Sequence, residues 1–223
     1  MRIKYVMLLC MLCAMSACLQ AQYINWNTTD STFDQWVSLS GSVENGVVFD
    51  AGYAHKLPVQ KLPLFLDIHL MTLSGEDIGD DMAITAGVQT LLVQHGYWGL
   101  SANGGFSLRR NENVFARMWA PGMYAGVAGG YYRTHFFLLA EVGIDASIAT
   151  HIQHSEAYLG QYPDAVSGWY GPFPGGEWSF GITAGSSIHT LDISLSAGIL
   201  RNMDITSIPL IPFYGKLGLA YRF

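Results

Sequence analysis

The sequence predicts an all-β protein that forms a closed, antiparallel, up-and-down transmembrane β-barrel. After residue 21, no stretch approaches the roughly 20 consecutive apolar residues that a membrane-spanning helix needs. Apolar residues instead alternate with polar or very small ones over segments of about ten residues, the pattern of strands that face lipid on one side and a polar interior on the other. The alternation continues to the last residue, Phe223.

Residues 1–21 have the composition of a secretory signal peptide. Arg2 and Lys4 precede an apolar run too short to span a bilayer, and small residues lead up to Ala21, after which we expect cleavage. An alternative interpretation makes Cys18 the lipid-modified residue of a lipoprotein. All three cysteines of the chain lie in this leader, so the predicted mature chain cannot rely on disulfides.

The charge balance narrows the class of partner. The chain carries a formal net charge of −6, and two of its eleven basic residues leave with the leader. An acidic chain without a basic cluster disfavours nucleic acid. Function is therefore sought in the membrane and in the loops.

Ten segments have the length and alternation of barrel strands, and they occupy most of residues 36–223. Eight strands is the alternative, if residues 37–56 pair differently. Residues 22–35 form a short periplasmic lead-in. The ten predicted strands are 37–44, 47–56, 64–73, 82–94, 98–109, 122–132, 136–147, 177–186, 190–201 and 213–223.

The connections between these strands alternate in length when both chain ends lie in the periplasm. Short turns at 57–63, 95–97, 133–134 and 187–189 then point to the periplasm, and the segments 74–81, 110–121, 151–176 and 202–212 point outward. The hairpin signal Asn45-Gly46 is the one short outward turn. Pro121 is placed in a loop, because proline cannot donate to a strand ladder.

The last strand carries the most specific motif. Phe213, Leu217, Leu219, Tyr221 and Phe223 share one face, and Lys216 and Arg222 share the other. This ending resembles the C-terminal strand of bacterial outer-membrane barrels. The resemblance implies the outer membrane of a Gram-negative bacterium, contact with its lipid, and recognition of the Phe223 end by the barrel-assembly machinery. With the Leu-Gln-Ala-Gln leader ending, the chain also looks like uncharacterised small barrels of Bacteroidota, a likeness that implies no activity.

Charged residues at inward positions predict a paired network, because a barrel of this size is filled by its own side chains and buried charges need partners. We expect Asp192 to pair with Arg222 near the periplasmic end, and Asp145 and Lys216 to lie in the outer half. An alternative is a proton or ion path along Asp67, His69 and Glu141. The predicted network comprises Asp67, His69, Glu141, Asp145, Asp192, Lys216 and Arg222.

Aromatic residues near the strand ends predict two girdles at the membrane interfaces. The periplasmic group is Tyr97, Trp98, Tyr131 and Tyr132. The outer group is Trp119, Tyr124, Trp178 and Tyr214.

The segment 151–176 holds the candidate chemistry. His151, His154 and Glu156 could bind zinc or copper if the chain bends between the two histidines, since imidazole and carboxylate suit both metals. The adjacent His154 and Ser155 are similar, over two residues, to the His and Ser of outer-membrane lipid A deacylases. Asp80-Asp81 could supply paired carboxylates, as in outer-membrane aspartyl-type proteases, although the chain lacks the long extracellular walls of those enzymes.

These features rank the functions. The first hypothesis is a non-enzymatic outer-membrane barrel, without a cofactor, that presents loops 74–81 and 151–176 for binding or serves as a subunit of an envelope complex. The second is a lipid or peptide hydrolase using His154 and Ser155. The third is a surface metal-binding protein that holds zinc or copper.

Overall fold

The computed structural model describes residues 24–29, 33–44, 46–59, 62–73, 80–172, 175–203 and 211–223. The signal peptide predicted for residues 1–21 and most of loop 74–81 lie outside these residues. Within them, no helix is long and apolar enough to cross a membrane. The elements are β1 (Gln35–Val43), β2 (Val47–Leu57), β3 (Leu64–Leu73), β4 (Met82–His95), β5 (Trp98–Glu112), β6 (Ala116–Tyr132), β7 (Phe136–Ser147), β8 (Thr150–His154), α1 (Glu156–Gln161), β9 (Gly168–Tyr170), β10 (Gly176–Ile188), β11 (Leu191–Asn202) and β12 (Phe213–Arg222).

Ten of the described strands, β1 to β7 and β10 to β12, close into one antiparallel barrel. Each strand pairs with its neighbours in sequence, and β12 returns to β1 with Val37 opposite Tyr221. At the seam, Gln35 N donates to Phe223 O at 3.2 Å and Phe223 N donates to Gln35 O at 3.0 Å. The predicted closed ten-stranded barrel is confirmed.

The two ends of the barrel differ in their connections. Short turns and both ends of the barrel chain lie at one end, which we call the terminus end. The longer connections lie at the other, which we call the loop end. All ten strands are long enough to cross a hydrocarbon core, which needs about 9–11 residues of tilted strand.

Side-chain alternation separates an apolar outer surface from a polar interior. On β3, Ile68 is 51% exposed while its neighbours Asp67 and His69 are buried. On β11, Leu195 is 62% exposed while Ser196 is buried. Exposed leucine and isoleucine over a whole barrel wall are stable only against lipid, so this surface is the membrane-facing one.

The long outward loop predicted for 110–121 is mostly strand, and the placement of Pro121 in a loop is wrong. Pro121 lies inside β6, opposite Leu108 of β5. Its carbonyl accepts from Ile148 N at 2.8 Å, so its main chain points towards β7 rather than β5. There the ladder is already interrupted: β6 pairs with β7 as far as Ser147 and then with β8. The missing N–H faces this gap, so no ladder bond is lost.

The long segment after β7 is folded rather than an irregular loop. β8 pairs with the end of β6 that continues past β7, and β9 pairs with β8. Ser155 caps the short helix α1 by accepting from Tyr158 N, and its own N–H donates to Phe115 O at 2.8 Å. We call residues 110–119 together with residues 150–170 the flap. It extends the barrel wall at the loop end.

The segment before β1 occupies the interior of the barrel at its terminus end. Residues 24–29 include a 3-10 helical turn, Trp26–Thr28, whose Trp26 ring meets Phe65 edge-on at 5.6 Å. Asn25 is fully buried and donates to Arg133 O and Ser187 Oγ, both at 2.8 Å. The lead-in expected for residues 22–35 is therefore, over these six residues, a plug.

Three tyrosines assigned to the girdles point into the barrel instead. Tyr124, Tyr132 and Tyr214 are all nearly fully buried. A phenol hydroxyl in a narrow polar interior gains a hydrogen-bond partner, whereas its place on the lipid face is taken by its neighbours of opposite parity. On the outer surface of the terminus end, Tyr131 does contact Tyr97, Trp98 and Phe136, with ring centroids 5.5–5.8 Å apart.

The plug should contribute measurably to stability. Asn25→Ala leaves two buried acceptors without a donor, so we expect the free energy of unfolding to fall by about 1–3 kcal/mol. The measurement is urea-induced unfolding in lipid vesicles, followed by tryptophan fluorescence. Asn27→Ala is the control, because Asn27 is half-buried and only accepts a 3.3 Å bond from Gln94. Its cost should stay within about 0.5 kcal/mol. Equal losses for the two variants would contradict an anchored plug.

Candidate functional site

The interior at the terminus end is sealed by aromatic packing. Trp36 meets the Phe65 ring edge-on at 4.8 Å, and Tyr132 and Phe137 pack beside them. With Trp26 above Phe65, these rings form one buried apolar cluster. The barrel is therefore closed at this end by its own side chains, since packed rings leave no aqueous path.

A cluster around Asp50 fills the next level. His69 Nδ1 lies 3.0 Å from Asp50 Oδ1, Lys216 Nζ lies 3.3 Å from Asp50 Oδ2, and Ser40 Oγ donates to Oδ2 at 3.2 Å. Gly52 makes room for the histidine, because a Cβ there would come within 2.5 Å of the His69 ring. Four strands are thus tied together by one carboxylate.

Asp67 belongs to a second cluster that spans the barrel. It accepts from Gln89 Nε2 at 3.1 Å and from Tyr124 OH at 3.3 Å. Tyr124 comes from β6 and reaches β3 over Gly87, where a Cβ would lie 2.1 Å from the phenol oxygen. Any larger residue at position 87 would displace this tyrosine.

Glu141 anchors a third cluster with the same design. Tyr214 OH donates to Glu141 Oε1 at 2.6 Å, and Thr183 Oγ1 donates to Glu141 Oε2 at 3.1 Å. The ring of Tyr214 passes over Gly181, where a Cβ would lie 2.1 Å from the phenol oxygen. Both cross-barrel tyrosines were missed from the sequence. Strand parity could have found them: Tyr124 follows the outward Met123, and Tyr214 follows the outward Phe213.

Two ion pairs occupy the remaining levels. Arg109 is hydrogen-bonded to Asp145 towards the loop end, and both are buried. At the terminus end, Arg222 Nε lies 3.4 Å from Asp192 Oδ2. Arg222 also donates to His189 O and covers the Phe33 ring at 5.9 Å. Asp145 and Lys216, expected together in the outer half, have different partners.

The interior leaves little room for solute. A cavity lined by Asp50, Asp192 and Lys216 has a volume of about 30 Å³, enough for one or two water molecules. The residues of the alternative ion path, Asp67, His69 and Glu141, are each hydrogen-bonded in a different cluster. This arrangement favours a structural network over a conduction path.

The structure does not assemble the predicted zinc or copper site. His151 and His154 lie on opposite faces of β8, because side chains alternate along an extended strand and the chain bends only at Ser155. The His151 ring meets Trp169 edge-on at 5.1 Å, while His154 stacks on Tyr158 at 4.8 Å. Within the described part of the chain, no three His, Cys, Asp or Glu residues have metal-binding geometry. Glu156 is an exposed first residue of α1.

The hydroxyl of Ser155, the candidate nucleophile, is already committed. It accepts from Tyr158 N at 3.2 Å as the cap of α1 and donates to Val114 O at 2.9 Å. A nucleophile must instead give its proton to a neighbouring base. His154 holds no such position here, because its ring is stacked against Tyr158.

The Asp192–Arg222 pair can be measured by a double-mutant cycle. Arg222→Ala in the otherwise unchanged protein strands a buried carboxylate, so we expect a loss of about 3–5 kcal/mol in unfolding free energy. In an Asp192→Ala background the same change should cost at least about 1 kcal/mol less, because the carboxylate is gone. Unfolding in lipid vesicles gives all four values. Equal costs in both backgrounds would show that the two groups are not coupled.

No protein-family model and no curated protein sequence matches this chain. An outer-membrane channel from Pseudomonas putida F1 matches it in structure with a TM-score of 0.55 and 10% identity, over 92% of this chain and 100% of that one. The translocator domain of the autotransporter NalP from Neisseria meningitidis gives 0.46 at 13% identity, over 100% and 97%. Ail, the attachment invasion locus protein of Yersinia pestis, gives 0.39 at 10% identity, over 86% and 100%. At such identities the likeness concerns fold alone, and the fold is that of outer-membrane β-barrels.

Proposed function

We propose that this protein is a non-enzymatic barrel of a Gram-negative outer membrane, closed to solutes, which presents its flap at the cell surface for binding. The observation that carries the proposal is the flap itself. It is a folded sheet built on two barrel strands, at the end opposite the plug.

The outward surface supports the membrane location. Exposed apolar side chains cover the barrel wall, and aromatic rings gather at the terminus end, where Arg133 lies 4.1 Å over the ring of Tyr97. Aromatic and cationic groups together suit a lipid–water interface, because one part of each pair is apolar and the other hydrated. With the terminus end in the periplasm, the flap lies outside the cell.

The interior supports a closed barrel. The aromatic plug and the clusters around Asp50, Asp67 and Glu141 follow one another along the interior, and two tyrosines cross it. Each cluster joins strands that are not neighbours, so opening a path requires breaking several buried hydrogen bonds at once. Such a barrel is an anchor rather than a pore.

The flap has the features of a binding surface. Its backbone is held by strand pairing to β6 and by the capped helix α1, so it keeps one shape without a partner. Val166 and Trp169 are 69% and 66% exposed at its free side. Preorganised exposed aromatic and aliphatic groups favour binding, because little conformational entropy is lost. A protein subunit of the cell envelope would use the same surface.

The assembly machinery is the partner proposed for the last strand. Phe223 is half-exposed on the lipid face beside Tyr221, its ring stacked on that residue at 6.1 Å. Both belong to the strand that closes the barrel against β1, so recognition of this strand must precede closure.

The closed interior predicts an absence of conductance. Purified protein added to a planar lipid bilayer should produce no stable current steps, because the plug and the polar clusters fill the barrel. Insertion is verified separately by a gel shift between unboiled and boiled samples, as expected of a closed barrel. Reproducible single-channel steps from inserted protein would refute the closed-barrel proposal.

The proposed orientation can be tested with single cysteines, since the predicted mature chain has none. Val166→Cys in the flap should react with a membrane-impermeant maleimide on intact cells. Thr134→Cys, exposed in a turn at the terminus end, is the matched control and should react only after the outer membrane is permeabilised. The reverse pattern, or labelling of neither position in intact cells, would refute surface display.

A further inference from the structure

One row of side chains runs across four strands on the outward face of the flap. Arg110 of β5 lies opposite Trp119 of β6, Trp119 opposite His151 of β8, and His151 opposite Trp169 of β9. Residues directly opposite in neighbouring antiparallel strands share a face and touch. The Arg110 guanidinium lies 5.9 Å from the Trp119 ring, and the His151 and Trp169 rings are 5.1 Å apart. We call these four residues the Arg110–Trp169 row.

The row lies at the border of the membrane-facing surface. Just below it, Phe106 pairs with Met123, and both side chains are exposed on the same apolar wall. Just above it, Glu112 pairs with Arg117. The Arg110–Trp169 row therefore marks the level at which the barrel wall passes from hydrocarbon to headgroups.

Charge at this level is positive, although the whole chain has a net charge of −6. Arg117 donates to Glu112 through Nε and Nη2, at 2.7 and 2.8 Å, and Arg110 is hydrogen-bonded to the same carboxylate. Two guanidinium groups thus share one carboxylate and carry an excess of one positive charge. Since a guanidinium has five N–H donors, each keeps donors for an anion.

We propose that the Arg110–Trp169 row, with Arg117, binds the phosphorylated sugar headgroup of a glycolipid in the outer leaflet. Guanidinium groups hold phosphate through paired N–H donors. Indole faces carry negative charge density and accept the C–H groups of a sugar ring that lies flat against them. The row offers both kinds of group, side by side, at headgroup depth. The inference rests on the proposed surface location of the flap and names the partner of its membrane-side face.

A second strand pair at the loop end has the same composition. Trp178 of β10 lies opposite Arg201 of β11, both facing outward. The Trp178 ring stacks over Phe180 at 6.4 Å, so this pair also lies directly above apolar wall. Tryptophan beside arginine at two places on one rim is expected if that rim meets a layer of anionic sugars.

The test is native mass spectrometry of detergent-solubilised, folded protein titrated with three probes: diphosphoryl lipid A, monophosphoryl lipid A and phosphatidylglycerol. We expect the diphosphoryl glycolipid to be retained most strongly. Combined Arg110→Gln and Arg117→Gln should weaken its binding about tenfold or more, as the loss of a charge-assisted contact implies. Glu112→Gln should strengthen it, because the competing carboxylate is removed.

Arg133→Gln is the matched control, because Arg133 also covers an aromatic ring but lies at the terminus end. It should leave glycolipid binding unchanged. Equal retention of phosphatidylglycerol, equal losses in the Arg133 and Arg110/Arg117 variants, or no adduct at all would overturn the inference. If Val166→Cys is labelled on intact cells while the glycolipid fails to bind, this inference alone fails. If Val166→Cys is not labelled, the proposed function fails with it.

Discussion

Backbone hydrogen bonding without water governs the rest of this structure. In hydrocarbon, an unpaired N–H or C=O costs several kcal/mol, so a sheet can cross only if its last strand pairs with its first. The reciprocal bonds between Gln35 and Phe223 complete that ring. Closure then determines the use of every strand position, since one parity faces lipid and the other faces a narrow interior. Even Pro121 conforms to it, because its missing donor falls where the ladder on that side is interrupted.

A closed wall creates a second demand, which is to fill and neutralise the space inside it. The chain meets this demand with cross-barrel contacts rather than with local pairs. Tyr124 and Tyr214 each pass over a glycine and end on a carboxylate of a distant strand. Lys216 and His69 do the same for Asp50 from two other strands. Because each buried charge is held by partners from several strands, the interior resists both wetting and slippage of strand register.

The flap shows how a barrel acquires a surface of its own shape. β5 and β6 continue past the end of β7, and the unpaired edge of β6 is taken up by β8. The chain between the barrel strands β7 and β10 therefore adds to the wall instead of arching freely over it. This continuation places the outward face of the flap directly above the lipid-facing wall, where arginine and tryptophan meet the headgroup layer. The opposite face is packed around Met118, Ala120 and Ile152.

The sequence by itself determined the barrel, the ten strands and most of their bounds, because a period of two is set by the pleat of each strand alone. It also placed Asp192 and Arg222 at the same end of adjacent strands. Tertiary structure decided the rest. The plug depends on contacts between Asn25 and residues more than a hundred positions away. The inward turn of Tyr124 and Tyr214 depends on glycines of other strands, and no local pattern links them. The separation of His151 from His154 depended on whether the chain bent before or after His154. The pairing of β8 with β6, which keeps that segment extended, settled it.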